Sequence, residues 1–292
     1  MDSSKINIAE TITKTINSLF ENLFASIDNN IYNILDDITF INSDILKDNF
    51  FKDIFGTSSQ NGILLIANSL IFGLVVYYLF RLLYSHYLSI EIEKPVQFFF
   101  KLIIFTIIIN CSFFICEQLI TINSYISLSI RELGESIFKV NISFTELVKK
   151  LNTIITISNS NFNAFSLDGI IKSFISIELL NLLFVHSLRY ILIKVFVLIA
   201  PFAMLTLINN STSWFFKAWF KSLFSLLIIQ CFISIILLIT FSINSDAQNI
   251  LTKLMYIGSL FAITKSNLYI KELIGGISTN ISNNFSTIKA NK

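Results

Sequence analysis

The side chains of this chain that could do chemistry are few and lie in apolar surroundings. There are two histidines, His86 and His186, and three cysteines, Cys111, Cys116 and Cys231. A hydrolytic metal needs paired histidines one helical turn apart beside a general base, and a phosphate cradle needs glycines ahead of a lysine. No HExxH, no GxxxxGK[ST], no GxGxxG after a strand and no Ser, His and Asp grouping occurs. The cysteines lack zinc spacing and read as small core residues. The sequence therefore predicts no catalytic residue, no metal ligand and no cofactor, and the energy for any transport has to come from another protein.

Charges inside apolar runs are the remaining candidates, because a charged group deep in lipid costs about 3 kcal/mol even on the mildest scale. Glu117, Arg189 and Lys253 fall near the ends of such runs, where snorkelling to the interface is the favoured reading. Lys194 lies deeper, about 14 residues or roughly 21 Å from the far end of its run, and is open between snorkelling and a wet, protein-lined interior. Glu178 precedes Arg189 by 11 residues, which returns it to nearly the same helix face but too far along the axis to pair. A common polar stripe or separate partners is what that spacing allows, with a solvated face on a helical extension preferred. Lys194, Arg189 and Glu178 are thus the candidate polar or channel-lining residues. Pro201 removes a backbone donor and should kink its helix. Trp214, Lys217, Trp219 and Lys221 look like an aromatic and basic belt at the cytoplasmic interface. Such a cluster can also stack nucleic-acid bases, and the belt is the preferred reading.

The elements that position these residues follow from hydropathy. Hydrophobic residues make up 54% of the 292 positions and charged ones 14%, well below the roughly one quarter charged in soluble domains. The runs Ile54 to Phe80, Leu102 to Cys116, Val195 to Phe216 and Ser222 to Ser245 carry no charge at all. They are continuous rather than alternating, so the backbone has to satisfy itself in helices. The sequence predicts an all-α, polytopic helical membrane protein of about five transmembrane helices preceded by an N-terminal amphipathic helix.

Residues 1–61 are the amphipathic region. Ile8, Ile12, Ile16, Leu19, Phe20, Leu23, Phe24, Ile27, Ile31, Ile34 and Leu35 recur at steps of three and four, a stripe that seeks a membrane surface or partner helices. No cleavable signal is apparent, so insertion is expected to start at the first span. Residues 62–122 hold spans one (Gly62 to Tyr84) and two (Val96 to Leu119), with Pro95 suited to a first helical turn. Residues 123–185 form an extracytoplasmic loop, beginning at about Thr121, and a helical extension, with an amphipathic piece at Ile142 to Ile157 and an Asn/Ser-rich turn at Ser158 to Asn163. Residues 186–270 hold spans three (His186 to Ile208), four (Phe220 to Ile243) and five (Ile250 to Tyr269). Gly275 and Gly276 end the last helix, and 271–292 are a cytoplasmic tail. With the N-terminus outside, the inner segments carry nine Lys/Arg in 63 residues and the outer ones eight in 115, which supports N-out and C-in.

The span from Arg189 through Lys194 to Pro201-Phe-Ala, a short polar turn, Trp214-Phe-Phe-Lys-Ala-Trp219-Phe-Lys-Ser-Leu, Ser225-Leu-Leu-Ile-Ile-Gln230-Cys-Phe-Ile and Ile270-Lys-Glu-Leu-Ile-Gly-Gly-Ile-Ser278 together carry a resemblance. They are similar to the TrbL-like polytopic inner-membrane subunits of conjugative type IV secretion systems. The resemblance covers about residues 185–280; residues 62–122 match in hydropathy and order only, and 1–61 in no motif. It implies a channel scaffold in the cytoplasmic membrane through which single-stranded DNA with a bound relaxase passes. It implies as partners other secretion subunits including separate ATPases, the lipid bilayer, single-stranded DNA in transit and further copies of the chain. It names no active site. A secondary transporter or small-solute channel, and a purely structural anchor, are the alternatives. No internal repeat and no second interrupted span to match Pro201 is visible in the sequence.

Overall fold

The computed structural model describes residues 11–19, 31–57, 61–88, 94–154, 167–209, 211–243 and 250–275. It is 90% helical with no strand among those residues, and the chain is an all-α polytopic membrane protein. The helices are α1 (11–19), α2 (Ile31–Thr39), α3 (Asn49–Phe55), α4 (Ile63–Leu88) and α5 (Pro95–Asn110). They continue as α6 (Ser112–Phe138), α7 (Phe144–Ile154), α8 (Leu167–Leu205), α9 (Ser213–Ser242) and α10 (Ile250–Ile274), with 3-10 turns at Ser43–Leu46 and Thr206–Ile208. Four stretches are long and apolar enough to cross a bilayer: α4, α6, Gly169–Ile208 and α9. α5 is apolar but short, at 16 residues. α10, expected as the fifth span, is not among them; Lys253, Lys265 and Lys271 interrupt it.

The expected second span, Val96 to Leu119, is two helices rather than one. The ladder of α5 ends with the Cys111 N–H on the Ile107 carbonyl (2.9 Å), and that of α6 starts with the Ile115 N–H on the Cys111 carbonyl (3.0 Å). No side chain caps the start of α6. The loop expected from Thr121 is also corrected: α6 runs on to Phe138, where Lys139 takes the left-handed conformation at φ 56°. Its buried face is Ser112, Cys116, Ile120, Ser127 and Gly134, at steps of four and seven. This is a helical stripe written in small residues, so hydrophobic periodicity passes over it. Those residues bring α6 close to α9. A Cβ on Gly134 would stand 2.6 Å from both Ile142 Cγ1 and Leu238 Cδ1.

Two apolar clusters divide the bundle along its length. One gathers Ala67 and Ile71 of α4, Ile109 of α5, Cys116 and Ile120 of α6, Ile193 to Met204 of α8, and Trp219 to Leu227 of α9. The other holds Leu147 and Leu151 of α7, Ile171 to Leu182 of α8, Ile229 to Phe241 of α9, and Tyr256, Leu260, Ile263 and Ile270 of α10. Thus α8, roughly 58 Å long for its 39 residues, serves both ends. α4 and α5 flank one end and α10 flanks the other.

Residues 31–57 join this bundle rather than lying apart from it. α2 ends at Thr39; Asn42 then caps the 3-10 turn by accepting from the Asp44 N–H (2.9 Å), and Asp48 caps α3 by accepting from the Phe50 N–H (3.2 Å). Gly56, at φ 96°, closes α3 and touches Gly62 so closely that a Cβ there would lie 2.6 Å from the Gly56 Cα. Leu35, Ile41, Leu46, Phe51 and Phe55 are buried against the other helices. Of the amphipathic stripe, Leu35 is buried among these helices, whereas Ile12, Leu19 and Ile34 are exposed. Its members Ile8, Phe20, Leu23, Phe24 and Ile27, the turn at 158–163 and the tail from Gly276 lie outside the described residues.

Candidate functional site

Among the described residues, Arg189 is the largest fully buried side chain, at 1% exposure. Its Nε–H donates to the Leu226 carbonyl (2.7 Å), Nη1 to the Thr39 carbonyl (2.8 Å) and Nη2 to Gln230 Oε1 (3.2 Å). The Ile41 N–H donates to the same Gln230 oxygen (3.1 Å). Three elements, α2, α8 and α9, are tied at one guanidinium. Snorkelling, expected for Arg189, is corrected: a planar fork with five N–H groups can satisfy itself on oxygens from several directions. The Thr39 carbonyl ends α2, where aligned peptide dipoles favour a cation. All three acceptors are neutral oxygens.

Gln230 is the residue that the candidate set missed. Its signal is the lone amide in the uncharged run 222–243; its acceptor role depends on the Ile41 backbone, which no sequence pattern announces. Because both partners of Oε1 are donors, its orientation is fixed, and Nε2 is left buried without a partner. His186, one turn before Arg189 and equally buried, has no hydrogen-bond partner on either ring nitrogen.

The other candidates are positioned apart. The Lys194 ammonium, half-buried, stands over the rings of Tyr190 (5.2 Å) and Phe51 (5.6 Å), so the N-terminal segment covers it. Glu178 accepts from Thr264 Oγ1 of α10 (3.0 Å), and so it and Arg189 have separate partners, as the eleven-residue spacing allowed, with neither on a solvated face. Pro201 lies inside α8 and leaves the Val197 carbonyl without its i+4 donor. One residue earlier, the Phe196 carbonyl accepts from Trp219 Nε1 (2.8 Å). Trp219 is accordingly buried and ties α9 to α8, a correction to its place among the interface anchors, whereas Trp214, Lys217 and Lys221 are exposed on one face of α9.

Two further polar nodes brace this arrangement. On α6 and α9, Asn123 Nδ2 donates to the Leu227 carbonyl (2.8 Å), Cys231 Sγ reaches Asn123 Oδ1 (3.2 Å), and Ser127 and Ser234 share a bond (2.8 Å). On α2, Asp36 caps α7 from a distance in sequence, accepting from the N–H groups of Phe144 (2.8 Å) and Thr145 (3.2 Å) and from Thr145 Oγ1 (3.0 Å). Burial pushes the Asp36 carboxyl above its ordinary range, against those bonds and the nearby Arg131, which pull it down. Beside it opens a polar pocket of about 310 Å³ lined by Asp36, Arg131, Asn141, Ser143, Thr145 and Glu146. Arg131 stacks 4.0 Å over the Phe40 ring.

No protein-family model, curated protein or solved structure matches this chain. The arrangement itself is one of interhelical ties: among the described residues no group of three or more His, Cys, Asp or Glu could hold a metal ion. Its chemistry is that of hydrogen bonds which fix helix register.

Proposed function

We propose that this chain is a non-enzymatic scaffold and channel subunit of a conjugative type IV secretion system, supporting transfer of single-stranded DNA with bound relaxase across the cytoplasmic membrane. It acts with other secretion subunits and separate ATPases, as an oligomer of several copies. The observation that carries the reading is where the resemblance falls. Arg189, Trp219 and Gln230, which lie in the stretches that make the chain similar to TrbL-like subunits, are the residues that tie α8 to α9 and to the N-terminal segment. A family built round a structural helical hairpin would keep that seam.

The N-terminus is assigned to the outside. Segments 81–101 and 208–221 alone carry five Lys/Arg in 35 residues, the density of cytoplasmic loops. With four crossings, Asn284 lies on the same side as the N-terminus, whereas a fifth crossing by α10 would bring it to the cytoplasm.

Photo-crosslinking of transferring DNA in mating cells tests the channel role: recovery of DNA with this subunit is expected, and its absence in an active apparatus would remove direct contact from the proposal. One observation favours a second reading, a solute transporter: α5 and α6 are broken at Cys111 within an apolar stretch, and α8 contains Pro201. Solute uptake by purified chain in vesicles without any secretion partner would favour it.

A further inference from the structure

The break between α5 and α6 carries a polar node on an otherwise apolar surface. Asn68 Nδ2 of α4 donates to Asn110 Oδ1 (3.1 Å), and Asn110 Nδ2 donates back to Asn68 Oδ1 (3.3 Å) and to the Thr106 carbonyl (2.8 Å). Asn110 and Cys111 are exposed. One turn to either side of each amide stand large exposed apolar side chains, Leu65 and Phe72 on α4 and Ile107 and Phe114 on α5 and α6. The pair lies inside the apolar stretch, Asn68 about 8 Å along α4 from its first residue.

In hydrocarbon this node is incomplete. Each amide oxygen takes two donors and each amide nitrogen gives two, so the reciprocal pair keeps an unspent N–H on Asn68 and unspent lone pairs on the oxygens. The uncapped first turn of α6 adds backbone N–H groups beside it. Lipid tails supply neither donors nor acceptors, and interrupted backbone at membrane depth is tolerated only against protein or water. An isolated polar node ringed by aliphatic and aromatic side chains is not a continuous wet stripe, which favours protein. Because the face holds both spare donors and spare acceptors, an identical face complements it. Ser69 and Gly73, four residues apart on the exposed side of α4, let backbones approach: a Cβ on Gly73 would meet no atom within 4 Å.

We propose that the Asn68–Asn110 node is the centre of a contact between two copies of this chain within the membrane. It uses only the membrane assignment, and stands or falls separately from the conjugation reading.

The chain carries its own probe, because Cys111 adjoins the node and is exposed while Cys116 and Cys231 are buried. In native membranes, copper-phenanthroline oxidation or a short bismaleimide should convert the chain to a dimer on denaturing gels. Cys111→Ser should abolish the product and the Cys116→Ser, Cys231→Ser double variant should retain it. Asn68→Leu should reduce it several-fold and Asn68→Gln largely preserve it. Absence of a dimer overturns the proposal. In that case, labelling of Cys111 by a water-soluble thiosulfonate would assign the face to an aqueous path, and labelling only by a lipid-soluble maleimide would assign it to lipid.

Discussion

A buried arginine held by neutral oxygens makes a sharp demand on each of them. Replacing Gln230 by Leu leaves an Arg189 N–H and the Ile41 N–H without an acceptor and should cost about 3 kcal/mol, since bonds to charged groups contribute about 1.5–3 kcal/mol each. Gln230→Glu keeps the same acceptor geometry and adds a counter-charge, so it should unfold in detergent at or above the wild-type temperature; a fall as large as that of the Leu variant would mean that the bond is not what holds Arg189. Asp36 gives a prediction in pH. Its folded pKa lies above the unfolded one, so its contribution to stability is full below the ordinary aspartate value of 3.8 and is lost as pH rises through the folded value. The stability of wild type relative to Asp36→Asn, measured by unfolding between pH 3.5 and 7, should therefore decrease as pH rises; an increase would contradict the burial. At this scale the sequence is informative about which side chains are unusual and silent about their partners. Arg189 and Lys194 stand out as charges in apolar runs, but the carbonyls of Thr39 and Leu226 that decide the fate of Arg189 carry no sequence mark.

Helices are more legible than their breaks. α4 and α9 follow from uncharged runs, α8 from the unbroken helical pattern that ends in such a run, and α7 from the amphipathic piece at 142–157, because long-range packing adds to what periodicity already specifies. The second half of α6 escapes, since Ser127 and Gly134 rather than aliphatic residues form its buried stripe. The interruption at Cys111 escapes because neither proline nor glycine marks it. The tryptophan pair tests the α8–α9 seam. Trp219→Phe removes the bond to the Phe196 carbonyl and should cost about 1 kcal/mol, whereas Trp214→Phe, on an exposed ring, should stay within about 0.5 kcal/mol. Equal losses in detergent-solubilised protein would place both at the interface, as the sequence alone suggests.

For the molecule as a whole, the two clusters divide the packing into one half built on α4, α5 and the adjoining ends of α6, α8 and α9, and a second half in which α2, α7 and α10 surround the start of α8. A reporter fused at Ser89 should read as cytoplasmic and one at Asn152 as external, while one at Asn284 reads as cytoplasmic if α10 makes a fifth crossing and as external if it does not; a cytoplasmic signal at Asn152 would invert the protein. The central claim, that the chain is a necessary scaffold of a DNA-transfer apparatus, is tested most directly by transfer frequency. Donor cells lacking the chain should fail to transfer DNA and recover with wild type, while Gln230→Leu restores transfer poorly. Transfer at wild-type frequency from donors without the chain would contradict the account.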